Sequence, residues 1–490
     1  MALRLFNTLS AKVEEFQPQE DHLVRMYSCG PTVYDYGHVG NFRTFVFVDI
    51  LRRFLGQSGY KLKHVMNITD VDDKIIRNAA QQGVTVGEYT KKYEQAFRED
   101  MQTLSLETPE LIVRATENIP EMAAFIAGLV QKGYAYRADD GSYYFRIAKF
   151  PEYGKLSKKD FAGMEAGARV DVDEYDKDNA RDFALWKAPK PGEAWWETEI
   201  GPGRPGWHIE CSVMARKFLG DTLDMHLGGE DLIFPHHENE IAQSEALTGK
   251  PFSRFWVHAR FLLVEGEKMS KSLGNFYTLR DLVLKGHKPS SIRYLLTSVP
   301  YRRQLNFTFD GLKQAASSVE RLRNFKLRLE TGHFAPGSNP KIAALAHTGG
   351  ERFTAALADD LNTAEALAAV FDMVREVNAA ADAGEVKQDD IPPLLAVLKR
   401  FDEIFDVLRD TDAPKIEHIM EWAKSEGKTA AATAEASPGL SDQAIQDLIA
   451  KRETARRARD FKTSDAIRAQ LAEAGIILED TKDGMRWKRK

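Results

Sequence analysis

Residues 23–55 read LVRMYSCGPTVYDYGHVGNFRTFVFVDILRRFL, and their pattern decides the fold. The run "LVRMYS" (23–28) is short and largely apolar and stops at the Gly30-Pro31 turn, as a buried strand does. From about Gly40 onward, Phe47, Ile50, Leu51 and Phe54 fall at i, i+3, i+4 and i+7, which is one face of a helix. Gly56 to Tyr60 breaks that stripe, and "KLKHVMNIT" (61–69) then alternates like a second strand. Strand, helix and strand in close succession make a βαβ unit, so the expected fold is α/β with a parallel, Rossmann-like nucleotide-binding sheet.

The turn inside this stretch carries chemistry of its own. In "GHVGN", His38, Gly40 and Asn41 stand at the mouth of the helix, where unpaired N–H groups and the positive dipole end favour a phosphate. Gly40 lets the backbone approach, while His38 and Asn41 offer donors; a plain glycine turn with a capping Asn is the competing reading. A second phosphate-handling candidate is "VEGEKMSKSLGN" (264–275), a loop between Gly266 and Gly274 that carries Lys268 and Lys271. Two ammonium groups there suit a leaving pyrophosphate, although a Lys/Ser loop in isolation is more often a solvated turn.

Further on, "HLGGEDLIFPHHENEIAQSEAL" (226–247) places Gly228 and Gly229 ahead of Glu230 and Asp231. These glycines allow an adenosine to lie against the backbone, with a carboxylate near its ribose. Pro235 is expected to open a helix. His236 and Glu240 then lie at i and i+4 on one face, a spacing that suits two ligands of one metal. His237 and Glu238 are the rivals if the register shifts by one. The chain has two cysteines, Cys29 and Cys211, 182 positions apart. They read as buried core thiols or as ligands that would complete a mixed sulfur, nitrogen and oxygen site with His236 and Glu240. "GWHIECS" sets Cys211 beside Trp207 and His208, an aromatic setting for a small substrate.

The 490 residues are 43% hydrophobic and 29% charged, with a formal net charge of −6. That length predicts several domains, and the charge argues against a basic nucleic-acid coat over the whole surface. The N-terminus lacks a signal-peptide core and no apolar run spans a bilayer, so a cytoplasmic protein with no membrane partner is expected. Two cysteines in that compartment are not expected to form a structural disulfide.

Composition shifts divide the chain. Residues 1–110 hold the first half of the sheet domain, and 111–200 form an inserted, loop-rich module containing "DVDEYDKDNARD" and the Pro/Gly-rich "KAPKPGEAWW". Residues 201–310 resume the sheet domain and include the Lys/Ser loop. Residues 311–426 are helical in pattern throughout, 427–441 ("GKTAAATAEASPGLS") read as a linker, and 442–490 as a small basic domain. Residues 451–490 carry 12 Lys/Arg against 7 Asp/Glu, a net +5 that leaves −11 for the preceding 450 residues.

Taken together, "YSCGPTVYDYGHVGN", "NITDVDDKIIRNA", "FALWKAPKPGEAWWETEIGPGRPGWHIECS", "HLGGEDLIFPHHENEIAQSEA", "KMSKSLGN" and "DDLNTAEAL" resemble the cysteinyl-tRNA synthetase family of class I aminoacyl-tRNA synthetases, over nearly the whole chain. The resemblance implies a class I synthetase fold: a split Rossmann-like catalytic domain with an inserted module, a helical bundle that binds tRNA, and a small C-terminal anticodon-binding domain. It implies that Cys29, Cys211, His236 and Glu240 hold one Zn2+, and that His38, Asn41, Lys268 and Lys271 serve catalysis. ATP, accompanied by Mg2+, is expected on Gly40, Gly228, Gly229, Asp231 and Lys271. Cysteine is expected against Gly30, Thr69, Trp207 and His226, and tRNA against Arg486, Trp487 and Arg489. The chain departs from the general class I His-x-Gly-His signature at Asn41, which hydrogen-bonds but never carries a proton charge.

The implied reaction joins L-cysteine to ATP and passes it to the 3′ end of tRNA(Cys), with a monomer as the family expectation. Zinc has a physical purpose in it, because thiolate is a far better zinc ligand than hydroxyl and serine differs from cysteine only there. Four protein ligands typify closed sites, so substrate binding requires the metal to expand or exchange a ligand, Glu240 being the expected one to yield. Two rivals remain: a cysteine ligase with an amino-sugar acceptor, as in the mycothiol pathway, and a non-catalytic zinc RNA-binding protein. The first is expected to lack the helical bundle and basic tail, the second to have lost "HVGN" or "KMSKS".

Overall fold

The computed structural model describes residues 2–159, 169–170, 182–428, 442–457, 460–473, 476–481 and 484–489. The linker read at 427–441 and the acidic run 171–181 lie almost wholly outside them. Met1–Trp422 and Ala423–Lys490 form two separate compact units.

The first unit is built on a five-stranded sheet. Its strands are β1 (Leu23–Ser28), β2 (Lys61–Ile68), β3 (Leu111–Arg114), β4 (Leu223–Gly229) and β5 (Ser253–Ala259). They lie in the order β5-β4-β1-β2-β3, and every pair is parallel. Helix α1 (Val39–Gln57) links β1 to β2, α2 (Trp207–Leu219) precedes β4, and α3 (Glu238–Thr248) links β4 to β5. The chain leaves β1 toward β2 and β3, whereas β4 and β5 flank its other side. That reversal opens a crevice beyond the carboxyl ends of β1 and β4, where sheets of this kind bind ligands.

The alternation expected in β2 holds only at its start. From His64 to Ile68 every residue is buried, because a parallel sheet is covered on both faces. His64 hydrogen-bonds through Nε2 to Ser28 Oγ at 2.8 Å. Burial, reinforced by Arg52, pushes its pKa down to about 3. Between about 3 and 6.5 the unfolded chain holds a proton that the folded one does not, so this residue makes stability rise with pH across that window and level off above it. The expected loss on going from pH 7 to pH 5 is about 2 kcal/mol. Thermal unfolding of His64→Asn against the parent protein checks this, and the variant should show a flatter slope in that range.

Between β3 and α2 lies a second sheet, ordered Arg204–Pro205, Asp182–Lys187, Tyr143–Phe145, Ala135–Arg137, with Arg169–Val170 beside Asp182–Lys187. Its Trp186 is fully buried. Helices Phe309–Thr331, Pro340–Ala358, Thr363–Asp382 and Ile391–Phe405 follow. Each buries a stripe at helical spacing, as Ala366, Val370, Met373, Val374 and Val377 do. The second unit contains helices Asp442–Arg457 and Phe461–Glu473 and an antiparallel hairpin, Ile476–Thr481 with Gly484–Arg489.

Candidate metal centre and nucleotide site

β1 ends at Ser28, and the next residue, Cys29, is held by its N–H donating to Leu227 O of β4 at 3.2 Å. Cys211 sits mid-way along α2, and both thiols are buried and free. Their sulfurs stand 4.0 Å apart. Glu240 Oε1 lies 4.0 Å from Cys29 Sγ and 3.1 Å from His236 Nε2. Cys29, Cys211, His236 and Glu240 each offer one ligand atom, all mutually within 4.8 Å. Ligand atoms around a tetrahedral zinc, with bonds of about 2.0 to 2.3 Å, stand roughly 3.3 to 3.8 Å apart. The four residues therefore surround a space that would hold a cation of that kind once their ligand atoms draw together by up to about an ångström per pair.

Electrostatics agrees with the geometry. Burial works to raise Glu240, but His226 and His236 outweigh it and hold the carboxylate down at about 2. Burial works to lower His236, yet Glu240 and the Cys211 sulfur bring it up to about 10. Of the thiols, burial and Cys211 push Cys29 up, while Cys211 is drawn down. A proton on His236 thus balances negative charge at the place a cation fits, and metal binding is coupled to its release.

A second set overlaps the first: Cys29, His226, His237 and Glu240 also lie within 4.8 Å of one another. His237 Nε2 is 3.2 Å from Cys29 Sγ, and its Nδ1 bonds His258 Nε2 at 2.8 Å. His258 Nδ1 in turn meets Thr8 Oγ1 at 2.8 Å. His226 Nε2 is 2.8 Å from Glu240 Oε2, and its ring stacks on Trp256. The imidazole rival His237 therefore does reach the cluster. Glu238 does not: its carboxylate accepts the N–H groups of Gly154, Leu156 and Ser157. The backbone agrees with the expected helix start at Pro235. Phe234 is extended (φ −139°, ψ 133°), the one residue of Ile233–His237 outside the helical region, so helical backbone runs from Pro235 into α3. The residue before a proline is pushed out of the helical region, and His236 and Glu240 follow that break one helical turn apart, at i and i+4.

Of the residues expected around the substrate, Trp207 and His226 touch this cluster, Gly30 follows Cys29 in the chain, and Thr69 bonds Glu210, the neighbour of Cys211. The Trp207 ring stacks on His236 with centroids 4.4 Å apart. Thr69 Oγ1 donates to Glu210 Oε2 at 2.8 Å, and Gly30 N–H donates to Asn67 Oδ1 at 2.9 Å. A side chain at Gly30 would put its Cβ 1.7 Å from Asn67 O, so only glycine fits beside Cys29. A Cβ at Gly228 would meet His237 Cε1 at 2.7 Å, and one at Gly229 would meet Asp231 Oδ1. Gly228 therefore makes room for an imidazole, a packing need that its sequence context did not reveal. Asp231 itself is exposed at the end of β4.

The two phosphate-handling motifs come together. His38 caps α1, and the cap is reciprocal: Asn41 N–H donates to His38 Nδ1 at 3.1 Å while Asn41 Oδ1 accepts from His38 N–H at 3.2 Å. The capping reading of Asn41 thus holds in this structure, beside any role toward a ligand. Val39 N–H donates to Tyr277 O at 3.0 Å, and His38 forms a backbone bridge with Thr278. Phe276 joins both motifs, with the His38 ring 5.1 Å and Lys271 Nζ 5.0 Å from its ring centroid. Burial lowers the His38 pKa to about 4, so the ring is neutral at physiological pH. Lys271 Nζ is 2.8 Å from Asp35 Oδ2, and Lys268 is exposed in the short strand Glu267–Lys268. Arg486, Trp487 and Arg489 lie in the hairpin strand Gly484–Arg489, facing Glu479, Leu478 and Ile476 in register; their side chains lie outside the described residues.

A parallel sheet split by a module, with a glycine-bounded lysine loop against a His-x-Gly-Asn helix mouth, defines a class I aminoacyl-tRNA synthetase, and residues 15–317 match the family described as tRNA synthetases class I (C) catalytic domain. Residues 352–409 match the DALR domain and 437–487 the cysteinyl-tRNA ligase anticodon binding domain. The chain belongs to the cysteine–tRNA ligase family. It is 69% identical to the cysteine–tRNA ligase of Koribacter versatilis (strain Ellin345) over 495 residues, covering 100% of both chains. It is 60% identical to that of Solibacter usitatus (strain Ellin6076) over 490 residues, again with 100% of each covered. Among solved structures it is similar in fold to a Mycobacterium tuberculosis methionyl-tRNA synthetase in complex with methionyl-adenylate. That match has TM-score 0.58 and 14% identity and covers 84% of this chain and 96% of the other. Among the described residues no helix is long and apolar enough to cross a membrane.

Proposed function

We propose that this protein activates L-cysteine with ATP to cysteinyl-adenylate and pyrophosphate, then transfers cysteine to the 3′ end of tRNA(Cys). The observation that carries this reading is the convergence of Cys29, Cys211, His236 and Glu240 on one cation-sized space. Zinc bound there supplies a thiophilic centre that separates the sulfur of cysteine from the oxygen of serine. The chain's own part is to present the amino acid. Trp207 and Thr69 line its approach, Gly30 keeps the floor clear, and Glu240 is the one of the four residues that would give up its place to the substrate sulfur.

In the activation step the amino acid carboxylate attacks the α-phosphorus in line and pyrophosphate leaves. Neutral His38 and the N-terminal amides of α1 hold phosphate oxygens. Gly228, Gly229 and Asp231 border the nucleoside, and Lys268 and Lys271 balance the charge that develops on the leaving group. Positioning and fixed charge supply the acceleration, and no protein nucleophile is required. Mg2+ accompanies ATP. The helical bundle and the second unit engage tRNA, with Arg486, Trp487 and Arg489 on its anticodon side. The same reading places the enzyme in the cytoplasm as a single chain.

The direct test is cysteine-dependent ATP–pyrophosphate exchange, together with charging of tRNA(Cys). Absence of exchange in metal-replete protein would overturn the reading. Removing residues 442–490 should lower tRNA charging about tenfold or more, through lost phosphate and base contacts, while exchange stays within about twofold. Equal loss of both activities would refute that division of labour.

A further inference from the structure

Asp35 stands three residues ahead of His38, in a stretch to which the activation chemistry gives no task. Its two carboxylate oxygens are both committed. Oδ1 accepts the N–H of Tyr36 at 2.8 Å, and Oδ2 lies 2.8 Å from Lys271 Nζ. The first contact fixes the orientation of the carboxylate, and the second takes the charge of the lysine that pyrophosphate needs. The segment behind it is also anchored, since Tyr34 O accepts the Tyr89 hydroxyl at 2.6 Å. The lysine loop is braced from within. Asn275 Oδ1 accepts the Ser270 N–H at 2.8 Å, and its Nδ2 donates to Lys268 O at 3.2 Å. Lys271 therefore reaches Asp35 from a loop that already has a defined shape, and its ammonium also lies over the Phe276 ring, 5.0 Å from the centroid. Asp35 in turn keeps the Lys271 ammonium charged, raising its pKa.

We propose that Asp35 is a positioning residue for the lysine loop, a built-in stand-in for phosphate from which ATP takes Lys271 and to which pyrophosphate returns it. The proposal rests on the functional reading above. A carboxylate and a phosphate are both oxygen acceptors for one ammonium group, so they compete for it. With no nucleotide bound, the Asp35 pair holds the loop against the helix mouth. ATP entry has to displace the carboxylate, which weakens ATP binding. After the reaction the leaving pyrophosphate faces a negative group that takes Lys271 back, which favours its release and the reopening of the loop. Lys271 is 66% exposed and Asp35 36%, so solvent screens the contact. An ion pair of this exposure changes an equilibrium constant by up to about fivefold.

The test compares the full-length parent chain with Asp35→Asn, which keeps an acceptor for Tyr36 but loses the charge. Cysteine-dependent exchange gives the KM for ATP, and inorganic pyrophosphate serves as product inhibitor. The variant is expected to bind ATP about three- to fivefold more tightly and to be inhibited by pyrophosphate at about three- to fivefold lower concentration. Both effects should vanish when Lys271→Met is present in both chains, and Asp35→Glu, which retains the charge, should return toward parent values. Unchanged constants in Asp35→Asn, weaker ATP binding, or effects of equal size in the Lys271→Met background would each overturn the proposal. A parent chain that shows no cysteine-dependent exchange would instead sink the functional reading on which it rests.

Discussion

Replacing Cys211 with alanine should strip the metal from the protein, with zinc falling from about one ion per chain to a small residue of that, and cysteine activation falling with it. The expected loss exceeds the roughly 10- to 100-fold that removal of a group supporting a ligand costs in metal affinity, because a ligand itself is removed. Elemental analysis of the dialysed variant reads the first effect and pyrophosphate exchange the second. The experiment also separates the two overlapping ligand sets. Cys211 belongs to one of them, whereas His226 and His237 belong to the other, and Cys29 and Glu240 are common to both. If the first set holds the ion, His237→Ala costs only the support that its ring gives to Cys29 Sγ, and a measurable fraction of metal stays bound. Complete loss of metal from His237→Ala with retention in Cys211→Ala would move the site to the second set.

Lys271→Ala should lower the turnover of cysteine activation about 100- to 1,000-fold, the range found when one donor to developing charge is removed. The KM for cysteine should move little, since the lysine is assigned to pyrophosphate and not to the amino acid. A tenfold or greater rise in that KM with intact turnover would show that the loop acts on binding. Because the variant also frees Asp35, part of the loss reflects a carboxylate left facing phosphate. The Asp35→Asn background measures that share.

Local pattern made the βαβ core readable. The stripe Phe47, Ile50, Leu51 and Phe54 lies on α1, and all four residues are buried. The sheet that surrounds it is parallel as expected and is similar in fold to class I synthetases. What stayed illegible was set by distance along the chain. The Asp35–Lys271 contact joins residues 236 positions apart, and no periodicity marks it. His237 is the chain neighbour of His236, and its approach to Cys29 joins residues 208 positions apart, which no local pattern marks. Leu111–Arg114 gave no signal as the edge strand of the central sheet, since four residues are too few to show alternation.

The candidate ligand residues converge from both halves of a sheet that the intervening module divides, with Cys29 directly after β1 and Cys211, His236 and Glu240 arriving about two hundred residues later. A growing polypeptide on the ribosome therefore owns one sulfur of the set for a long time before it owns the rest. Until Glu240 has emerged and β4 has slotted beside β1, such a chain has no complete set with which to retain the metal. On the proposed reading, a metal held by this set reports that the divided sheet has closed, and prematurely terminated products take none of it.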